Sequence, residues 1–239
     1  MANREQLIVA LDFPSREEAL TLAGKVWPEA TWFKVGLELF TAAGEAVVDS
    51  LKEMGARVFL DLKLHDIPNT VAGAAAAATR LGVDMLTVHA LGGKEMMAAA
   101  VAAVQEEAGK RGIPVPLVVA VTILTTTDQQ VLHRELGIPA AMEEQVLRLA
   151  NLARAAGADG VVASPLEVAT LRRELGPDFC LVTPGIRPAG TAAHDQRRIL
   201  TPGAAVAAGS NYLVVGRPIT RAADPAAAAR DIRREMEEV

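Results

Sequence analysis

The feature that most constrains this chain is a repeated alternation of short apolar runs with longer amphipathic or alanine-rich stretches. Runs of β-forming character occupy 7–11, 31–35, 57–63, 84–88, 115–121, 159–163, 180–184 and 211–215. Helical patterns follow them at 15–27, 39–54, 69–82, 92–110, 142–156, 165–175, 196–208 and 222–237. Strict βα alternation argues for an α/β protein with a parallel sheet. Eight such units in 239 residues match a closed (β/α)₈ (TIM) barrel. The alternative is an open doubly wound sheet. That fold more often carries a GxGxxG turn after its first strand, and none is present.

Local signals agree. Ser15, followed by Glu17 and Glu18, reads as a helix N-cap, and Asp224-Pro225 opens the last helix in the same way. Gly24, Gly82, Gly109, Gly157 and Gly176 sit where helices are expected to stop. Two long loops, 122–141 (with a short helix expected at 128–136) and 185–195, invite functional roles. No stretch reads as a linker, so residues 1–239 are expected to form one domain.

Composition excludes several classes. The net charge of −5 and 3% aromatic content give no support to a nucleic-acid surface or base-stacking platform. The apolar run at 7–11 is too short for a signal peptide or membrane span, so a cytoplasmic protein without membrane contact is expected. A single cysteine, Cys180, leaves no intrachain disulfide and no zinc-finger spacing.

Chemistry concentrates in Asp61-Leu62-Lys63-Leu64-His65-Asp66-Ile67-Pro68-Asn69-Thr70. On a strand over 57–63, period-2 alternation places Phe59, Asp61 and Lys63 on one face and Val58, Leu60 and Leu62 on the other. Burying a carboxylate and an ammonium side by side is costly, and such concentrated charge marks function. In a barrel the site lies at the carboxyl ends of the strands. Asp12, Lys34, Asp61, Lys63, His89, Thr122, Ser164, Thr183 to Arg187, and Gly216-Arg217 all fall there. Arg217 after the last strand, with Arg187 opposite and Gln196 at the far end of the 185–195 loop, suits a phosphate grip. Plainer readings stand beside these. Asp12 is also a possible N-cap, Thr122 a β-former, His89 a structural hydrogen-bonding residue, Asp66 a helix cap, Arg217 a solvated helix-start arginine, and His65 and His194 solvated loop residues. A metal site from Asp61, Asp66 and His89 would compete with two nearby lysines.

Taken together, Asp61-x-Lys63-x-x-Asp66-Ile67-Pro68-Asn69-Thr70, Phe33-Lys34-Val35-Gly36, Thr183-Pro184-Gly185-Ile186-Arg187, Asp195-Gln196-x-Arg198 and Val214-Val215-Gly216-Arg217-Pro218-Ile219-Thr220 resemble the orotidine 5′-phosphate decarboxylase family in its bacterial form. The DxKxxD segment alone is shared with metal-dependent hexulose-phosphate synthases, the second reading. The remaining motifs make the likeness specific, and His194 departs from an acid common there.

The resemblance implies decarboxylation of orotidine 5′-phosphate to UMP in pyrimidine biosynthesis, without cofactor or metal. It implies Lys63 as proton donor to carbon 6, with Asp61, Lys34 and Asp66 in a catalytic charge network. Asp12 and Lys34 are implied to contact the ribose. Asp66, Ile67 and Thr70 are implied to reach into a neighbouring subunit's site in a homodimer. Thr122 and Pro184 are implied to bind ligand, and Arg187, Gln196, Gly216 and Arg217 to bind its phosphate.

Overall fold

The computed structural model describes residues 5–188 and 200–238. Eight parallel strands close into a barrel in sequence order: β1 (Leu7–Leu11), β2 (Trp32–Gly36), β3 (Arg57–Leu64), β4 (Met85–His89), β5 (Leu117–Val121), β6 (Gly160–Val162), β7 (Cys180–Thr183) and β8 (Tyr212–Val215), with β8 returning to β1. The (β/α)₈ expectation therefore holds, and the doubly wound alternative does not.

Helices α1 (Arg16–Val26), α2 (Leu37–Ala43), α3 (Ala46–Glu53), α4 (Pro68–Arg80), α5 (Gly93–Arg111), α6 (Gln129–Arg134), α7 (Met142–Ala155), α8 (Val168–Leu175), α9 (Pro202–Ala207), α10 (Arg217–Thr220) and α11 (Pro225–Glu237) follow the strands. The stretch 39–54 is two helices rather than one, broken at Gly44, whose φ of 61° is a left-handed conformation that glycine adopts without strain. Helix α10 was not legible in the sequence. Gly24 and Gly109 do not stop helices: both lie inside α1 and α5, and α5 ends at left-handed Gly112 instead. Ser15 caps α1 by accepting from the Glu18 amide, and Asp224 caps α11 by accepting from Ala227.

Two apolar layers hold the barrel. The outer layer packs one face of every strand against the helices. The inner layer fills the barrel with Ile8, Ala10, Trp32, Phe59, Met85, Val119, Val182 and Val214. These inner positions obey the period of two, so the next inward position toward the carboxyl ends is Asp12 after Ala10, Lys34 after Trp32, Asp61 after Phe59 and Thr87 after Met85. The apolar filling stops there and polar side chains begin.

The opposite end is tied by a repeated device. Asp84, Asp159 and Asn211 each stand just before a strand, and each accepts the amide of a residue on the strand before (Val58, Val118 and Leu181, at 2.7, 2.8 and 2.8 Å). Arg172 adds a clamp, donating to the carbonyls of Gly176, Pro177, Phe179 and Gly209 and to Asn211 Oδ1. This amino-terminal face is built for stability, which leaves the carboxyl face for chemistry.

Candidate active site

At the carboxyl ends of β1, β2 and β3 four charged side chains alternate in sign. Asp12 Oδ1 accepts from Lys34 Nζ at 2.9 Å, Lys34 Nζ lies 3.7 Å from Asp61 Oδ2, and Asp61 Oδ1 accepts from Lys63 Nζ at 2.9 Å. Lys34 and Asp61 are each only 9% exposed. Each buried charge is flanked by two opposite ones, which offsets its desolvation. Asp12 is thus an ion-pair partner, and Ser15 does the capping. Gly36 leaves room for this arrangement, because a Cβ there would stand 2.8 Å from Lys34 Nζ.

Lys63 reaches the network through a distorted strand. Pairing between β3 and β4 runs Phe59↔Met85 and Leu60↔Leu86, then resumes at Leu64↔Val88. Three β3 residues therefore face one residue of β4, Thr87. Within this bulge Lys63 adopts φ 53°, the one positive φ of a non-glycine among the described residues. Leu60, Leu62 and Leu64 still face α4, as alternation predicts, around an apolar cavity of about 190 Å³.

Two adjoining cavities share Lys34, Pro184 and Val214. The larger, about 570 Å³, is lined among others by Asp12, Glu38, Gly185, Arg187, Gly216, Arg217 and Arg221. The smaller, about 180 Å³, contains Asp61 and Lys63 against Phe59, Val121, Ile123, Leu124, Thr125, Val162, Ala163 and Val214. One half is cationic and polar; the other sets one ion pair in an apolar wall.

Arg187 is 5% exposed, and its Nε is buried without a hydrogen-bond partner among the described residues. Its Nη1 donates to the Ile186 carbonyl at 2.9 Å. Burial, and then the nearby Arg217, pull the Arg187 guanidinium below its ordinary value. Two guanidiniums so close to one cavity suit an anion of more than one negative charge. The bridge between Ile186 and Leu200 and the Arg187 amide donating to the Leu200 carbonyl at 3.0 Å join the chain on either side of 189–199. Gln196 and His194 lie outside the described residues.

Other expected site residues fall elsewhere. Asp66, Ile67 and Thr70 are exposed and line neither cavity. Asp66 accepts the amide of its neighbour Ile67 at 2.7 Å, and the N-cap of α4 is Ile67, so Asp66 is not a helix cap. Thr122 is fully buried, donates to the Val162 carbonyl at 3.2 Å and also lines neither cavity. The same carbonyl also accepts the Thr122 backbone amide, so its second lone pair holds the hydroxyl at the end of the ladder, and Thr125 meets the cavity instead. His65 is exposed but not merely solvated, since it stacks on His89 with centroids 5.3 Å apart. Burial, then His65 and Lys63, lower the His89 value and keep its ring neutral at pH 7; its Nδ1 accepts from the Leu91 amide. Burial pushes the Cys180 thiol up to about 12, so it stays protonated and unreactive. Asp61, Asp66 and His89 each have other partners, and among the described residues no group of three His, Cys, Asp or Glu side chains is disposed to hold a metal ion. Likewise no helix among them is long and apolar enough to cross a membrane.

Thr87, Ile123, Glu38 and Arg221 were not singled out from the sequence as ligand-facing or network residues. Thr87 was within reach, standing at the inward parity between Met85 and His89.

Comparison with known proteins gives a consistent picture. The model described as the orotidine 5′-phosphate decarboxylase / HUMPS family matches residues 5–232. An orotidine 5′-phosphate decarboxylase of Moorella thermoacetica is 57% identical over 239 residues, covering 100% of this chain and 95% of that protein. One from Heliobacterium modesticaldum is 51% identical over 238 residues, covering 100% of this chain and 98% of that protein. The crystal structure of orotidine 5′-phosphate decarboxylase from Lactobacillus acidophilus superimposes with a TM-score of 0.85 at 44% identity, covering 97% of this chain and 98% of that one.

Proposed function

Because this chain belongs to the orotidine 5′-phosphate decarboxylase / HUMPS family, we propose that it converts orotidine 5′-phosphate to UMP in pyrimidine biosynthesis, as one cytoplasmic barrel domain over residues 1–239, with no metal or cofactor. The observation that carries this is the division of the cleft. Arg187 and Arg217 stand at one end for a phosphate, and Lys63 beside Asp61 stands at the other in an apolar wall.

The reaction breaks the bond between carbon 6 and its carboxylate. The electron pair stays on carbon 6 in an orbital the pyrimidine ring delocalises poorly, and carbon dioxide departs. Something must stabilise that charge as it forms. The Lys63 ammonium does so as a fixed positive charge in a low-dielectric wall, then gives its proton to carbon 6. Solvent reprotonates the lysine after product leaves. Asp61 holds the ammonium in place, and Lys34 prevents two carboxylates from facing the substrate unbalanced. Asp12 and Lys34 take the ribose hydroxyls. Pro184, shared by both halves of the cleft, packs against the nucleotide. Gly216, Arg217, Arg187 and Gln196 take the phosphate, whose remote binding energy orients the ring. Thr122 supports the end of β5 and binds ligand through its neighbours rather than its own engaged hydroxyl.

Hexulose-phosphate synthase-like chemistry is the second reading, since the family description spans both. Relatives at 47–57% identity named orotidine 5′-phosphate decarboxylase favour the first. Chelator-treated protein mixed with orotidine 5′-phosphate is expected to bleach the substrate's absorbance at an undiminished rate. Activity that disappears with chelation and returns with a divalent cation supports the second reading instead.

The site is completed by a second copy of the chain. Leu37, Ile67, Leu91 and Leu124 are 57%, 67%, 41% and 45% exposed, and they begin the segments after β2, β3, β4 and β5, on one side of the mouth. An apolar rim of this kind fits a two-fold interface. Asp66, Ile67 and Thr70, exposed in the single chain, are then the residues delivered to the partner's site. Mixing the inactive Lys63→Ala and Asp66→Ala dimers is expected to restore activity. With free exchange, half the dimers are mixed and hold one intact site of two, giving roughly a quarter of wild-type activity. No recovery despite demonstrated subunit exchange means that each chain's site is self-sufficient.

A further inference from the structure

The charge network has a support outside its four charged members. We propose that Thr87 is a positioning residue: its hydroxyl clamps the bulged backbone at Lys63 and the Asp61 carboxylate together, and so sets where the Lys63 ammonium stands.

The bulge in β3 removes the Lys63 amide from the sheet ladder, because three residues there face Thr87 alone. That amide donates instead to Thr87 Oγ1 at 2.8 Å. The Thr87 hydroxyl in turn donates to Asp61 Oδ1 at 3.1 Å. The same carboxylate oxygen receives Lys63 Nζ at 2.9 Å. Backbone N–H, hydroxyl, carboxylate and ammonium therefore close a ring that begins and ends on residue 63. Each link supports the next, since a hydroxyl that accepts from the amide is left to donate and the Asp61 carboxylate is the acceptor it meets.

The ring holds something that does not hold itself. A lysine at φ 53° lies in the left-handed region that L side chains rarely adopt. Loss of the amide's partner lets the segment relax, and the side chain swings with it. Thr87 is fully buried, so water does not replace its hydroxyl. The bland account is that threonine sits in β4 because β-branched residues suit strands. Valine serves that purpose equally well and makes neither hydrogen bond, which separates the two accounts.

This inference rests on the proposed lysine-centred decarboxylation only for its effect on rate; the clamp itself is testable without turnover. Thr87→Val and Thr87→Ser are compared with wild type by steady-state kinetics and by amide hydrogen exchange at Lys63. Thr87→Val is expected to lower kcat about 100-fold, the scale of a displacement near 1 Å, with KM and UMP affinity within a factor of about three. Thr87→Ser keeps both bonds and is expected to retain at least about half of kcat. Lys63 exchange is expected to be slow in wild type and Thr87→Ser, and at least about tenfold faster in Thr87→Val. If Thr87→Val does not fold, Thr87→Ala takes its place. A valine variant with near-normal kcat, a serine variant as poor as valine, or unchanged exchange at Lys63 overturns the proposal. A wild-type protein inert toward orotidine 5′-phosphate instead overturns the functional reading, while the exchange data still decide the clamp.

Discussion

Replacing Lys63 with alanine is expected to abolish decarboxylation while leaving the nucleotide site able to bind UMP. The size of the effect follows from the two tasks assigned to one nitrogen. Stabilising the charge that develops at carbon 6 is worth about 10²- to 10³-fold, and delivering the proton about another 10²-fold or more. Their product puts the fall in kcat at about 10⁴- to 10⁵-fold or more. The side chain is partly exposed, with 29% of its surface open, so its removal leaves no large cavity. It does leave Asp61 with Lys34 at 3.7 Å and the Thr87 hydroxyl as remaining partners. Global stability is therefore expected to change little, and UMP, held chiefly at the arginine end, is expected to bind within about tenfold of wild type. Residual turnover above a hundredth of wild type would assign the proton transfer elsewhere.

Arg187→Met is expected to move stability and function in opposite directions. The guanidinium is buried, its Nε lacks a partner among the described residues, and Arg217 lies near enough to lower its affinity for a proton. An apolar side chain of similar length removes that burden, so the melting temperature without ligand is expected to hold or rise. The phosphate loses two charge-assisted hydrogen bonds worth ~1.5 to 3 kcal/mol each, so kcat/KM is expected to fall about 10²- to 10⁴-fold. The gain in melting temperature on adding UMP should shrink in the same variant. A destabilised protein with normal kcat/KM would make Arg187 a structural residue whose guanidinium serves the Ile186 carbonyl.

Why the fold was legible is clear from particular elements. Each strand carries an apolar run buried on both faces, and each unit ends in a polar residue at one end of the barrel. Period-two parity placed Asp61 correctly on the inner face with Phe59, because β3 is regular as far as its pairing Gly36↔Asp61 with β2. Parity did not reveal the bulge beyond Asp61. Nothing in Leu62-Lys63-Leu64 marks a left-handed residue, and the conformation depends on Thr87, 24 residues away. The split at Gly44 and the short helix α10 are local choices that chain propensity leaves open. Helix ends at Gly24 and Gly109 were misplaced for a related reason: an isolated glycine is tolerated inside a helix that tertiary packing already secures.

The candidate site divides in the same manner. Charged residues on strand ends were readable because burying them without a role is expensive. Thr122 was harder, since a hydroxyl can serve the backbone as readily as a ligand, and here it serves the Val162 carbonyl. The exposed trio Asp66, Ile67 and Thr70 lines neither cavity of the single chain, and its role rests on the proposed dimer.

The central claim is that a held ammonium meets the carbanion at carbon 6, and the most direct measurement is a crystal structure of the protein with UMP bound. The account expects the phosphate between Arg187 and Arg217, the pyrimidine in the apolar half of the cleft, and Lys63 Nζ within about 3 Å of carbon 6. A nucleotide seated with carbon 6 turned away from Lys63, or with its phosphate remote from both arginines, would contradict it.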